Sequence, residues 1–588
     1  MSYLVATCLD VTSISKVQFD PSDYDFTKIK ATLSVLQDRY SFSVSDQDLD
    51  GIPVLSLCES ETIQRGKPMS RTSISNPIRV AELSVGNGVL GLTFCPGKHG
   101  DSLFGEPWAR DLSLDLSALN AWGASTLVTL MEPHEFDLLR VSDLGAMTER
   151  AGMDWIHLPI PDVSIPGQEF PRIWSNLTKS LQRRLEHGEN IILHCRGGLG
   201  RTGLVAGLLL LDMGWDAETA IKRIREVRPG AIETAEQEDF VRKHRPYICH
   251  ASLLGGAIGD SLGADIEFST LADIRNRFPN GVNRLSKTHA VRPGWFTDDT
   301  QMTLFTAEGI IRAYVRGTLK GISSISGVVH HSLLRWLATQ GVEPGTSIDR
   351  EAGLIVEEMM AFRAAPGMTC LSALEAVHGF GDIARNDSKG CGTIMRVAPV
   401  VFGVDKSAIR NSAMETSALT HGHPVGQMAA AAWAEIMADV LDGHSLGMAA
   451  EGVARNYLGL GSAGRVVADA IHGALRAPDD GRPETIERLG GGWVAEEALA
   501  IALYASRVGR DFEDGLRIAV THSGDSDSTA AIAGNMLGML YPDQVFAHAW
   551  AKEVGGRELI ELLALDLPLA RYWDPEEAER QFKRYPGW

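Results

Sequence analysis

The chain has 588 residues, 44% hydrophobic and 22% charged, with 55 Lys and Arg against 75 Asp and Glu, a net charge of −20. That length predicts about three or four ordinary domains, or two large ones, and the apolar share excludes extensive disorder, a collagen-like fibre, a disulfide framework and a polytopic membrane protein. The acidic balance excludes a broad nucleic-acid or anionic-membrane surface.

The charge is unevenly placed. Residues 1–250 hold 33 acidic and 25 basic residues, net −8, and residues 251–588 hold 42 and 30, net −12, yet residues 151–250 carry 13 of each. A locally positive site is expected in that neutral block. The seven cysteines (Cys8, Cys58, Cys95, Cys195, Cys249, Cys370 and Cys391) form no CxxC pairs, which fits a reducing compartment. The first residues show no basic segment before an apolar run, so no leader peptide is expected. The longest apolar stretch, Leu204 to Leu211, is far short of the ~20 residues of a membrane span. A cytoplasmic protein is expected.

In chain order, residues 1–75 read as an N-terminal extension of unknown role, with a linker-like texture over 59–76. Strand patterns follow at 78–83, 89–94, 125–130, 155–160 and 191–194, with helical spacing at about 113–122, 135–151, 171–187 and 201–213. This alternation predicts an α/β domain over 76–246, a mostly parallel sheet flanked by helices. Residues 247–588 are rich in Ala, Leu and Gly with helical spacing, as at 300–316, 350–363, 407–419, 425–442 and 493–507, and predict an all-α domain. The junction Lys243-His244-Arg245-Pro246-Tyr247 is too short for a loose linker, so the two parts are expected to touch.

The α/β part carries one sharp motif. Ile191-Ile192-Leu193 leads through His194 to Cys195 and a glycine-rich loop, Arg196-Gly197-Gly198-Leu199-Gly200, before a helix beginning near Arg201. Such a loop turns backbone N–H groups inward and makes an anion nest at a helix N-terminus. The same field favours a thiolate. Arg201, six positions after Cys195, can bind phosphate with two N–H groups, and Thr202 can donate to the thiolate. A thiolate attacking a phosphate ester needs a proton donor for the leaving group, and Asp162, in Pro159-Ile160-Pro161-Asp162, is the candidate. Gln237, beyond Ala231-Ile232-Glu233-Thr234, is placed to orient the hydrolytic water. With Gly91-Leu92 and Pro96-Gly97, these motifs over about 76–245 resemble the dual-specificity branch of the protein tyrosine phosphatases, in particular those like the cyclin-dependent kinase inhibitor-associated enzyme. The resemblance implies metal-free hydrolysis of phosphotyrosine, phosphoserine or phosphothreonine esters.

The all-α part places acids and hydroxyls before two helices, at Thr297-Asp298-Asp299 and Asp525-Ser526-Asp527-Ser528. Capping explains each segment alone. Together the carboxylates form an oxygen-rich set suited to a pair of hard divalent cations. Glycine-rich stretches at 253–264, 389–399 and 420–424 would let backbone approach phosphate or ribose. These motifs, over about 250–588, resemble the ADP-ribosylglycohydrolase family, typified by the dinitrogenase reductase-activating glycohydrolase. The resemblance implies that Thr297, Asp298, Asp299, Asp525, Asp527 and Ser528 hold two Mg²⁺ or Mn²⁺ ions, with Thr529 an alternative hydroxyl. It implies an Asp base, Asp299 or Asp525, and contacts to ADP-ribose from Glu267, Gly392, Thr393 and His421.

A bifunctional hydrolase is therefore expected, acting on phosphorylated and ADP-ribosylated protein or on an ADP-ribose-containing small molecule, without nucleic-acid or membrane partners. The alternatives are that both sites process one phosphorylated ADP-ribose metabolite, or that one domain only binds its ligand.

Overall fold

The computed structural model describes residues 43–49, 52–56, 70–102, 105–287, 294–377 and 379–587. The chain divides into two compact units, Met1–Ser70 and Arg71–Trp588. In the first, β1 (Ser43–Leu49) pairs antiparallel with β2 (Ile52–Ser56). Cys8, Cys58, the segment tested for a leader and most of the expected linker lie outside the described residues.

The second unit opens on a five-stranded sheet. Its elements are β3 (Ala81–Val85), β4 (Gly88–Phe94), β7 (Ala124–Thr129), β8 (Asp154–His157) and β9 (Asn190–Cys195), in the order β3-β4-β9-β7-β8, and a two-stranded ribbon joins β5 (His99–Gly100) to β6 (Trp108–Ala109). Within the five-stranded sheet only the β3–β4 pair is antiparallel. The central β9 reads Ile191-Ile192-Leu193 and is fully buried, as a parallel strand covered on both faces requires. The flanking helices are α1 (Leu112–Ala121), α2 (Pro133–Leu138), α3 (Leu144–Arg150), α4 (Phe170–Glu186), α5 (Gly200–Asp212), α6 (Ala217–Val227) and α7 (Ala235–Arg242).

Three expectations are corrected. The first strand begins at Ala81, not at residue 78. The single helix expected at 135–151 is two helices, α2 and α3, separated by a turn in which Arg140 takes φ +57°. The helix expected at 350–363 is instead two 3-10 turns, Gly353–Val356 and Glu358–Met360. The Leu354 amide there is committed to the buried Glu308 carboxylate at 2.8 Å, which takes it out of a helical ladder.

The second half is helical. It includes α8 (Arg245–Gly263), α9 (Asp298–Lys320), α10 (Ile409–Ala418), α11 (Pro424–Leu441), α12 (Ala495–Val508), α13 (Ser526–Leu540), α14 (Arg557–Asp566) and α15 (Pro575–Gln581). The glycines of α8 have a packing role rather than the ligand role expected of them. A Cβ on Gly259 would overlap the Ala530 carbonyl, and one on Gly263 would overlap the Asp527 backbone. Glycine therefore lets α8 and α13 approach closely, and this contact sets the position of the α13 N-terminus.

The two halves share a buried boundary. Lys179 Nζ meets Asp566 at 2.7 Å, and Arg183 meets Glu577 at 3.0 Å. Asn176 donates to the Tyr572 carbonyl and accepts from the Asp574 amide, each at 3.0 Å. Arg242 of α7 also reaches Asp543 at 3.0 Å. Among the described residues no helix is long and apolar enough to cross a membrane.

Candidate active sites

In the α/β half, β9 delivers Cys195 to a loop that ends at the first turn of α5. Cys195 is 4% exposed, and its Sγ accepts the Gly198 amide at 3.2 Å. Gly198 takes φ +70°, and a Cβ there would overlap the Thr93 backbone, so the loop requires glycine at this point. Arg196 and Gly197 are exposed at the rim, while Leu199 is half-buried and Gly200 buried. Arg228 closes the loop from below, donating to the Gly198 and Gly197 carbonyls at 3.0 and 3.1 Å.

Arg201 lies almost wholly buried and is held in a fork. Its two terminal nitrogens donate to Glu135 at 2.5 and 2.9 Å, and one also reaches Asp162 at 2.7 Å. Burial raises the Glu135 carboxyl, but Arg201 and the Glu132 amide outweigh it and hold Glu135 below the usual carboxylate range. Glu135 escaped sequence reasoning. It closes a capping box with Glu132, and nothing local shows that its partner lies 66 residues away.

Two expected roles are not seen in this arrangement. The Thr202 hydroxyl is buried and makes no hydrogen bond, to Cys195 or otherwise. Gln237 is fully buried with both ends of its amide occupied, accepting from the Glu233 amide at 3.0 Å and donating to the Ser164 carbonyl at 3.1 Å. It ties the segment after Asp162 to the start of α7 rather than facing the thiol. His194 lies under the loop, bonded to Thr129 at 2.7 Å, and burial pulls it down to about 3, so it is neutral.

In the helical half, the starts of α9 and α13 come together. Glu267, Asp525 and Asp527 each offer a carboxylate oxygen within 4.8 Å of the others. Thr297 caps α9, its hydroxyl accepting the Asp299 amide at 3.3 Å, and Asp525 caps α13 from the Ser528 amide. The capping reading and the ligand reading thus hold for the same residues. Asp298 accepts the Gly367 amide at 3.2 Å. Asp299 Oδ2 is buried without a hydrogen-bond partner. Asp298, Asp299 and Asp525 have no ion pair with Lys or Arg among the described residues, and burial with neighbouring carboxylates pushes all three well above the usual range. Burial and then Asp527 push Glu267 up to about 9. Crowded buried acids with an orphaned oxygen fit a hard divalent cation.

Ser528 rather than Thr529 faces this cluster. The Thr529 hydroxyl is spent on His522 at 2.8 Å and on the helix backbone. Beneath the cluster Asp260 accepts the Thr297 amide at 2.9 Å, the Thr300 amide at 3.0 Å and the Thr300 hydroxyl at 2.6 Å. Burial and Asp527 push it to about 7. A lone acid in the apolar run Ala257-Ile258-Gly259-Asp260 was the sequence signal for it. Cys391 also escaped notice, and its Sγ lies 2.9 Å from Asp525 Oδ2.

The residues expected to meet ADP-ribose divide. A Cβ on Gly392 would press on the His421 ring at 3.0 Å, so this glycine and His421 are packed together. His421 bonds to Thr420 at 2.9 Å, and burial holds it near 3. The Thr393 hydroxyl is committed to the Gly426 carbonyl at 3.0 Å, so it is not offered to a ligand.

The sequence profile of the ADP-ribosylglycohydrolase family matches residues 248–577, more than half of the chain. The chain belongs to the ADP-ribosylglycohydrolase family. A second profile, "Swiss Army Knife protein, DSP-PTPase phosphatase domain", matches residues 110–241. An uncharacterized protein of Archaeoglobus fulgidus is 26% identical over 54% of this chain and 94% of its own. Protein tyrosine phosphatase type IVA 3 of Bos taurus is 30% identical over 24% of this chain and 76% of its own, which places the first half among the protein tyrosine phosphatases. Cyclin-dependent kinase inhibitor 3 of Mus musculus is 30% identical over 23% of this chain, which spans 64% of that relative. The chain is thus a hydrolase built from an α/β phosphatase domain and a helical ADP-ribosylglycohydrolase domain.

Proposed function

We propose that the chain hydrolyses phosphomonoesters at Cys195 and ADP-ribosyl glycosidic bonds at the carboxylate cluster. The observation that carries the reading is that each constellation is assembled within one compact unit, Arg201 in reach of Asp162 and the Glu267, Asp525 and Asp527 carboxylates within 4.8 Å.

In the first reaction the substrate phosphate displaces Asp162 from Arg201. The Cys195 thiolate attacks phosphorus, and the ester oxygen leaves with a proton from Asp162. Amides of residues 196–201 and the Arg201 fork hold the phosphate oxygens. Water then hydrolyses the cysteinyl phosphate, with Asp162 as base. Gln237 contributes by holding the Asp162 segment.

In the second, Thr297, Asp298, Asp299, Asp525, Asp527 and Ser528 would hold two divalent cations, Mg²⁺ or Mn²⁺. When bound, such ions polarise the ribose hydroxyls and ready a water for attack at C1″. Between the two candidate bases, the free Oδ2 favours Asp299 as proton acceptor, because both Asp525 oxygens are engaged. Glu267 closes the cluster from the substrate side.

The test is a parallel screen of phosphopeptides, ADP-ribosylated Arg and Ser peptides, and phosphorylated ADP-ribose, with and without Mg²⁺ or Mn²⁺. Phosphate release that survives Cys195→Ser, or ADP-ribose release that survives Asp298→Asn with Asp527→Asn, overturns the corresponding half.

A further inference from the structure

Lys98 stands beside the phosphatase loop in a setting that the reaction scheme leaves unused. It is 9% exposed. Its Nζ donates to the carbonyl of Arg196, the residue after the nucleophile, at 3.3 Å. The ammonium is enclosed by the rings of Phe94 at 4.5 Å and Trp108 at 4.4 Å. Its own backbone is fixed on both sides: the Gly97 amide donates to Asp115 at 2.8 Å and the Arg110 amide to the Lys98 carbonyl at 3.3 Å.

Of the cations around the loop that have no carboxylate partner among the described residues, Lys98, Arg196 and Arg228, Lys98 is the most deeply buried. Arg110, packed on the same two rings, is neutralised by Asp115 at 2.7 Å. Arg201 is neutralised by Glu135 and Asp162. Lys98 has no carboxylate partner among the described residues. Aromatic faces and one carbonyl solvate a desolvated ammonium without neutralising it. The groups facing this region are the Cys95 and Cys195 thiols, the Arg110, Arg196, Arg201 and Arg228 guanidiniums, and the Glu135 and Asp115 carboxylates. Of these acids only the thiols are held in no ion pair; Cys95 is fully buried and its Sγ donates to the Pro96 carbonyl at 3.3 Å, whereas the Cys195 Sγ accepts the Gly198 amide at 3.2 Å.

We propose that Lys98 is a positioning residue for the phosphatase reaction, its ammonium serving as the built-in counter-charge of the Cys195 thiolate while its hydrogen bond fixes the first carbonyl of the loop. Burial pulling Lys98 down to about 8 agrees with a cation waiting for its anion. The proposal rests on Cys195 as nucleophile, but its readout is thiol ionisation rather than turnover, so the two readings fail separately.

The experiment follows alkylation of Cys195 by iodoacetamide from pH 4 to 9 in the full chain, with the Cys195 peptide quantified by mass spectrometry. Lys98→Met and Lys98→Gln are expected to move the midpoint up by about one unit, slowing alkylation at low pH about tenfold. Lys98→Arg is expected to keep it. An unchanged midpoint in the neutral variants overturns the proposal, as does an equal shift in Lys98→Arg, which would assign the effect to packing. Should the neutral variants not fold, linkage supplies the reciprocal measurement. Cys195→Ser should then lower the pH at which Lys98 reacts with an amine reagent, and an unmoved Lys98 profile overturns the proposal equally.

Discussion

Asp212 accepts the Nε2 nitrogen of His244 at 2.6 Å. Asp212 ends α5, whose first turn carries Arg201, and His244 immediately precedes α8, whose last turn carries Asp260. One hydrogen bond thus joins the two helices that scaffold the two reaction centres. The same carboxylate takes the Trp174 indole at 2.8 Å and the Thr178 hydroxyl at 2.9 Å, so it is fully used.

Asp212→Ala strands two buried donors, Trp174 and Thr178, and the half-buried His244. A loss of about 3–5 kcal/mol in stability is expected. Denaturation followed by tryptophan fluorescence and by residual phosphatase activity should show both signals lost together in wild type and variant. An activity loss well ahead of the fluorescence change would mean that the halves unfold independently.

Glu135→Gln keeps the shape of the Arg201 fork but removes its charge. Phosphatase kcat/KM is expected to fall by about ten- to a hundredfold, and Arg201→Lys by more, since a point charge cannot make the bidentate contact. Steady-state kinetics on a small aryl phosphate measure both. ADP-ribose release in the same preparations should be unchanged.

The acid cluster predicts a pH dependence of stability. In the folded chain Glu267 is pushed to about 9 and Asp260 to about 7, against ordinary carboxyl values near 4 in the unfolded chain. Without cations the folded state therefore holds protons that the unfolded state releases, and stability falls as pH rises from about 4 through about 9. Chelator-treated protein should show a melting temperature that declines from pH 5 to 9, and saturating Mg²⁺ or Mn²⁺ should restore it. A flat profile in the chelated protein would remove the argument for a cation site.

Asp260 supports the cluster indirectly, by fixing Thr297 and Thr300. Asp260→Asn is expected to weaken Mn²⁺ binding by about ten- to a hundredfold, read by paramagnetic resonance of free Mn²⁺, with folding retained. Asp299→Asn should weaken binding at least as much, since it removes one carboxylate charge from the cluster.

The fold was legible where one physical signal dominated. The β9 run Ile191-Ile192-Leu193 and the strand-loop-helix glycines of 196–200 could hardly form anything else, and the alternation of elements read out the sheet. Both constellations lay in contiguous motifs, so Cys195, Arg201, Asp298 and Asp527 could be named from spacing. What escaped lay across the chain. Glu135, Lys98 and Arg228 reach the phosphatase loop from other elements, and their sequence neighbourhoods look like ordinary turns and caps. Local reading also misjudged environment: Gln237 looked placed to orient a water, yet it is fully buried with both ends of its amide held by backbone, and the glycines of α8 looked like ligand contacts when they admit a neighbouring helix.

The boundary between the halves bears on how such a gene can change. Asp566 and Glu577 are each 1% exposed, and their cations, Lys179 and Arg183, come from α4 of the other half. A gene split at residue 246 would yield one product whose Asp566 and Glu577 lose these two cations and keep Tyr585 and Arg580 of their own half, and another with Lys179 and Arg183 turned to water. The separate products would have to find each other again as a complex before either regained its full stability. The two ion pairs thus make the stability of each half depend on the presence of the other.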